Sequence, residues 1–218
     1  MAEDKTQALL RILGAAPVVP VLIVDRPETA VPLGRALVAG GLTALEITLR
    51  TPQALDCIKA MASEVEGADV GAGTIIEPGQ GEAAIRAGAR FIVSPVAVPE
   101  LDKAALEWPV PFLPGVATAT EAVTSASLGY RVLKFFPAEP AGGVPYLKSL
   151  FSPLPFLRFC PTGGIGAANA PNYLALENVI CVGGSWVAPP ELIAAQDWPR
   201  ITELARAAVG LRKARPPA

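Results

Sequence analysis

Apolar residues fall along the chain in two alternating rhythms. Short runs rich in β-branched and aromatic side chains begin near Val18, Ala44, Asp69, Phe91, Pro111, Val132, Phe156 and Asn178. They read VVPVLIV, ALEITLR, DVGAGTI, FIVSPV, PFLPGV, VLKFFPA, FLRFCPTG and NVICVGG. Such runs predict buried strands. Between them lie Ala/Leu/Glu-rich stretches with helix punctuation. Residues 4–13 place Ala8, Leu9, Ile12 and Leu13 at helical spacing, and Gly14 is set to end that helix. Pro27 and Pro52 sit at first-turn positions, with Thr51 as a cap for the second. Gly40, Gly41, Gly67, Gly88 and Gly129 fall where helices should stop, and Thr118 with Glu121 reads as a capping box. Residues 198–211 predict a last helix, and residues 215–218 a frayed tail.

Strand–helix units repeating about every 20 to 26 residues predict a parallel α/β fold. Eight such units are the number that closes a (β/α)8 TIM barrel, here preceded by an N-terminal helix. An open doubly wound sheet is the competing architecture. It favours a glycine-rich fingerprint after its first strand, and here Asp25-Arg26-Pro27 follows instead. No shift in composition and no linker divides residues 1–218, so one domain is expected.

Composition narrows the function classes. With 51% apolar and 17% charged residues, the 218-residue chain has the make-up of a compact folded protein. A net charge of -2 offers no basic field for nucleic acid. No apolar run is long enough to span a bilayer, and residues 1–5 lead into no signal-type apolar core, so a cytoplasmic location is expected. The three cysteines, Cys57, Cys160 and Cys181, form no CxxC pair, which suits small buried residues better than ligands or a reactive thiol. The chain has no histidine. A Ser-His-Asp or Cys-His system therefore cannot be built, and proton transfer must use Glu, Asp, Lys, Tyr, Cys or water.

Against that background one lysine stands out. In the run from Val132 to Ala138, alternation puts Val132, Lys134 and Phe136 on one face and Leu133 and Phe135 on the other. Burial favours the neutral amine, the form that adds to carbonyl carbons and makes Schiff bases. A strand-end lysine snorkelling to water is the bland alternative. The second strand has aliphatic Leu45, Ile47 and Leu49 on one side, which sends Glu46, Thr48 and Arg50 inward. Glu46 then suits a general base and Arg50 an anchor for a carboxylate, with a structural Glu46–Arg50 ion pair as the alternative. Thr74, at the end of the third strand, is placed to join Arg50. The last two strands end in Gly163-Gly164 and Gly183-Gly184. Paired glycines at the seventh and eighth strand ends of such a barrel suit a phosphate, assisted by a following helix N-terminus.

The strings Leu45-Glu-Ile-Thr-Leu-Arg50, Val70-Gly-Ala-Gly-Thr74, Lys134-Phe-Phe-Pro-Ala-Glu139, Arg158-Phe-Cys-Pro-Thr-Gly-Gly164 and Gly183-Gly-Ser-Trp186 together resemble the KDPG aldolases. These class I enzymes act on 2-keto-3-deoxy-6-phosphogluconate and often on 4-hydroxy-2-oxoglutarate. The likeness runs from about Pro17 to Val209. It implies a (β/α)8 barrel, a homotrimer, no metal or other cofactor, and as small-molecule partners pyruvate and a phosphorylated 2-keto-3-deoxy sugar acid. By resemblance the Schiff-base lysine falls on Lys134 and the general base on Glu46. The pyruvoyl-carboxylate contacts fall on Arg50 and Thr74, with Pro95 and Phe136 lining the pocket. Thr162 falls near the substrate hydroxyls, and the phosphate contacts fall on Gly163, Gly164, Gly184 and Ser185.

The expected reaction is retro-aldol cleavage to pyruvate and D-glyceraldehyde 3-phosphate in the Entner–Doudoroff pathway. The same chemistry on 4-hydroxy-2-oxoglutarate or the phosphogalactonate epimer is the near alternative. A phosphosugar isomerase without an imine and a phosphometabolite-binding barrel are the more distant ones.

Overall fold

The computed structural model describes residues 2–211, with side chains from Lys5 onward. The expected tail at 215–218 lies outside the described residues. In chain order the elements are α1 (Ala2–Leu13), β1 (Val18–Leu22), α2 (Pro27–Ala39), β2 (Ala44–Thr48), α3 (Ala54–Glu64), β3 (Asp69–Gly73), α4 (Pro78–Arg86), β4 (Phe91–Val93), α5 (Pro99–Ala105), β5 (Phe112–Leu113), β6 (Gly115–Val116), α6 (Ala119–Ser127), β7 (Val132–Phe135), α7 (Gly143–Phe151), β8 (Arg158–Pro161), α8 (Ala170–Leu174), β9 (Val182–Gly184), α9 (Pro190–Ala194) and α10 (Trp198–Val209).

The strands form two parallel ladders, β5-β4-β3-β2-β1-β9 and β6-β7-β8. The run expected as one strand from Pro111 is split at Pro114, so β5 pairs with β4 and β6 with β7. Proline has no N–H for a ladder, but the Pro114 carbonyl still accepts from the Lys134 amide at 2.8 Å. On the other side, isolated bridges join Phe159 to Val179 and Thr162 to Gly183. The result is an α/β fold whose parallel strands curve into at least a half-barrel.

Alternation sorts the core into two clusters. Leu45, Ile47, Leu133, Phe135 and Phe159 pack outward against the helices. Val19, Ala44, Phe91, Val93, Leu113, Val132, Cys160 and Cys181 pack inward, and Leu9, Ile12 and Leu13 of α1 join them. α1 thus seals the inner face where the strands begin. Gly71 makes that interior possible, because a Cβ there would lie 2.3 Å from the Phe91 ring.

Most of the expected punctuation is present. Pro27 opens α2, Gly40 caps its end, and Thr118 and Glu121 form a reciprocal capping box on α6. The second expected cap is corrected. α3 begins at Ala54 after an N-cap Gln53, and the Thr51 hydroxyl donates instead to the Val24 carbonyl at 2.7 Å. Among the described residues no helix is long and apolar enough to cross a membrane.

Candidate active site

Lys134 lies mid-strand on β7, between two outward-packed residues, and so points inward. Glu46 lies mid-strand on β2 by the same logic. The two meet inside. Nζ of Lys134 donates to Oε1 of Glu46 at 3.2 Å, with 5% and 4% of their side chains exposed. Desolvating both charges offsets much of their attraction, so such a pair is a poor device for stability. It is a good device for chemistry, since a proton passed to Glu46 leaves a neutral amine beside a carboxylic acid. The Phe136 ring centroid stands 5.5 Å from Nζ and walls the amine on one side.

The carboxylate has room because β3 ends in glycine. A Cβ on Gly73 would lie 2.0 Å from Oε1 of Glu46. The next residue, Thr74, has φ 63°, a left-handed conformation that β-branched side chains rarely adopt. Strain of this kind costs on the order of 1–3 kcal/mol and clusters at functional sites. It brings Oγ1 of Thr74 to 3.2 Å from the donating Nε of Arg50. Arg50 itself is exposed, just past the end of β2. The Glu46–Arg50 ion pair, the alternative reading of these two residues, is not formed: Glu46 pairs with Lys134. Between them, Thr48 donates to the Leu22 carbonyl at 2.9 Å and ties β2 to β1. Pro95 follows β4, where Gly115 lies so close that a Cβ would be 2.3 Å from the Pro95 carbonyl carbon.

The glycine-rich strand ends form a second cluster. Thr162 is buried opposite Gly183, where a Cβ would lie 2.2 Å from Oγ1 of Thr162. Gly163 and Gly164 have φ of 105° and 76°. Their loop packs on the loop after β7. The Ala138 amide donates to the Thr162 carbonyl at 2.8 Å and the Glu139 amide to the Gly163 carbonyl at 3.1 Å. Among the described residues, the amides of Gly163 and Gly164 donate to no protein acceptor, and Ser185 stands exposed after β9. Free backbone donors on residues that carry no side chain of their own suit an anion. The helix expected to assist them contributes little: α8 starts only at Ala170 and is 5 residues long.

Two of the three buried thiols, Cys57 and Cys181, are pushed above the usual thiol range. Burial, then Asp25, Asp56 and Glu28, push Cys57 up to about 11. Cys181 is held well above the usual thiol range by its hydrogen bond with Cys160 and by burial. Their sulfurs are 3.5 Å apart on neighbouring chain segments, a pairing their spacing in sequence does not announce. Among the described residues no group of three or more His, Cys, Asp or Glu side chains is arranged to hold a metal ion.

The profile of the aldolase family described as KDPG and KHG aldolase matches residues 9–204. The chain belongs to that family. It is 50% identical over 198 residues to the KHG/KDPG aldolase of Escherichia coli K12, covering 91% of this chain and 93% of that one. It is 48% identical over 209 residues to the 2-dehydro-3-deoxy-phosphogluconate aldolase of Dickeya dadantii, covering 96% and 98%. Among solved structures, the Zymomonas mobilis ZM4 KDPG aldolase with 3-phosphoglycerate superposes with a TM-score of 0.91 at 45% identity, covering 96% of this chain and 98% of that one. The Legionella pneumophila KDPG aldolase, with pyruvate captured as a covalent carbinolamine, gives 0.90 at 44% identity, covering 92% and 97%.

The sequence pattern thus located both partners of the Lys134–Glu46 pair and the Arg50–Thr74 contact. It passed over Gly73, whose signal was a glycine directly before a strand-end threonine beside an acidic strand.

Proposed function

We propose that the chain is a class I aldolase that cleaves 2-dehydro-3-deoxy-6-phosphogluconate to pyruvate and D-glyceraldehyde 3-phosphate. The observation that carries this reading is the buried contact between Lys134 and Glu46 at 3.2 Å. Family membership and the carbinolamine in the Legionella relative support it.

Glu46 takes a proton from Lys134, and the neutral amine adds to the C2 ketone of the substrate. Glu46 gives that proton to the carbinolamine hydroxyl, which leaves as water, and an iminium remains. Glu46, relieved of its proton and acting through a water, removes the proton of the C4 hydroxyl. The C3–C4 electron pair then flows into the iminium, releasing the aldehyde and leaving an enamine. Glu46 returns the proton to C3, and hydrolysis frees pyruvate and Lys134. Arg50 and Thr74 hold the carboxylate and fix C2 against Nζ. Pro95 and Phe136 line the pyruvoyl pocket, and Thr162 meets the hydroxyls. Gly163, Gly164, Gly184 and Ser185 receive the phosphate.

The names of relatives favour 4-hydroxy-2-oxoglutarate as a second substrate, cleaved by the same steps. In this reading residues 1–218 form one domain and the two ladders close as a (β/α)8 barrel. Support comes from the single proline that divides β5 from β6 and the bridges linking Phe159 to Val179 and Thr162 to Gly183. A cytoplasmic homotrimer in the Entner–Doudoroff pathway is part of the same proposal, on family resemblance.

Borohydride trapping tests the chemistry. Protein incubated with pyruvate and reduced should gain one adduct, mapped to Lys134, and untreated protein should release pyruvate from the phosphorylated substrate. Folded protein that forms no adduct would sink the imine mechanism.

A further inference from the structure

We propose that Tyr173 is a positioning residue for the phosphate end of the substrate, and that its hydroxyl holds the Glu139 carboxylate off the free amides of Gly163 and Gly164. The inference rests on the aldolase reading above and names a residue pair outside the machinery described there.

Glu139 sits in the loop after β7, and its stem runs directly over the glycine loop. A Cβ on Gly164 would lie 2.8 Å from both Cβ and Cγ of Glu139. An exposed carboxylate is therefore attached within reach of backbone donors suited to a phosphate. Left alone it has two harmful options: to bind those amides itself, or to stand as a fixed negative charge beside a dianion. In the structure it takes neither of those amides. Oε1 of Glu139 accepts a hydrogen bond from Oη of Tyr173, which reaches up from α8. It lies beside Gly143, where a Cβ would be 3.4 Å away.

Tyr173 is suited to this task. Its side chain is fully buried, so the hydroxyl needs one fixed partner. Burial first, and the Glu139 carboxylate second, hold the phenol well above its usual range, so it remains a donor. The loop does not need the contact to keep its shape. Besides the Ala138 and Glu139 amide bonds already described, the Gly143 amide donates to the Ala138 carbonyl at 2.9 Å. From the other side Nδ2 of Asn169 donates to the Gly164 carbonyl at 3.1 Å, and Oδ1 of Asn169 accepts from the Gly166 amide at 2.8 Å. Removing the Tyr173 hydroxyl should therefore free a charge without unpinning the cradle.

Steady-state kinetics on the phosphorylated substrate and on 4-hydroxy-2-oxoglutarate, which has no phosphate, separate a charge effect from a structural one. Tyr173→Phe should raise KM for the phosphorylated substrate about tenfold. Its kcat, and both constants for 4-hydroxy-2-oxoglutarate, should stay within about twofold of the parent. Glu139→Gln should resemble the parent on both substrates, and Tyr173→Phe/Glu139→Gln should restore the low KM. Glu139→Asp, whose shorter stem cannot reach Tyr173, should reproduce the rise without altering α8, and it decides the matter if Tyr173→Phe does not fold. If Tyr173→Phe and Glu139→Asp leave the ratio of the two KM values unchanged or impair both substrates alike, or if Glu139→Gln does not reverse the rise in Tyr173→Phe, the proposal alone is overturned. Parent protein that releases pyruvate from neither substrate overturns the aldolase reading, and this inference with it.

Discussion

The Glu46 carboxylate fills the space a side chain on Gly73 would need, with a Cβ there only 2.0 Å from its Oε1. Gly73→Ala is expected to push the carboxylate off Lys134. Pyruvate release should fall at least about a hundredfold, the usual scale for losing a positioned base. Far-ultraviolet circular dichroism should report the fold retained. Activity within a few-fold of the parent would show that Glu46 need not stand where it does.

Lys134 and Glu46 also make a stability prediction. Lys134→Met leaves a carboxylate buried without its partner, which should cost roughly 3–5 kcal/mol and abolish cleavage. Adding Glu46→Gln should recover most of that stability and none of the activity. Urea denaturation of the two variants measures the difference; equal stabilities would mean that the pair is solvated in the folded protein.

Thr74 exchanges stability for geometry. Thr74→Gly removes a β-branched residue from φ 63° and should raise stability by about 1 kcal/mol. It also deletes the hydroxyl that Arg50 holds at 3.2 Å, so KM for pyruvoyl substrates should rise. Thermal unfolding and kinetics on the same sample should move in opposite directions.

Asp102 on α5 is 2% exposed, and its Oδ1 has no hydrogen-bond partner among the described residues, although Oδ2 accepts from Ser125 at 3.1 Å. Burial raises its pKa from 3.8 to about 6, against the opposing bond from Ser125. The folded state thus binds this proton more tightly than the unfolded chain. Its stabilising contribution is full below about pH 4 and is lost as pH rises through 6, by about 3 kcal/mol. Asp102→Asn should be more stable than the parent at pH 8, with the gap closing towards pH 4. Urea midpoints across that range test it, and a constant gap would refute it.

What the sequence made legible was mostly periodic or local. Leu45 and Ile47 outward with Glu46 inward follows from a two-residue period, and the α6 capping box from a three-residue spacing. What it hid depends on distant partners. Thr51 sits where a helix cap belongs, yet the Val24 carbonyl, brought near by the β1–β2 pairing, takes its hydroxyl. Cys160 and Cys181 touch only because neighbouring segments align. Nothing near Asp102 marks it as buried; packing of α5 against Ser125 of α6 does that. The break at Pro114 was written in the chain, but its effect, which ladder each half joins, was not.

Leu9, Ile12 and Leu13 of α1 pack into the inner cluster, so in the proposed barrel substrate and products share the doorway at the C-terminal ends of the strands. Traffic through it under the proposed chemistry must queue. The fragment bonded to Lys134 sits deepest, and the phosphorylated fragment stands between it and the exit. The aldehyde therefore departs first, the hydrolytic water follows through the vacated passage, and pyruvate leaves last. Run in reverse, the same corridor requires pyruvate to enter before the aldehyde.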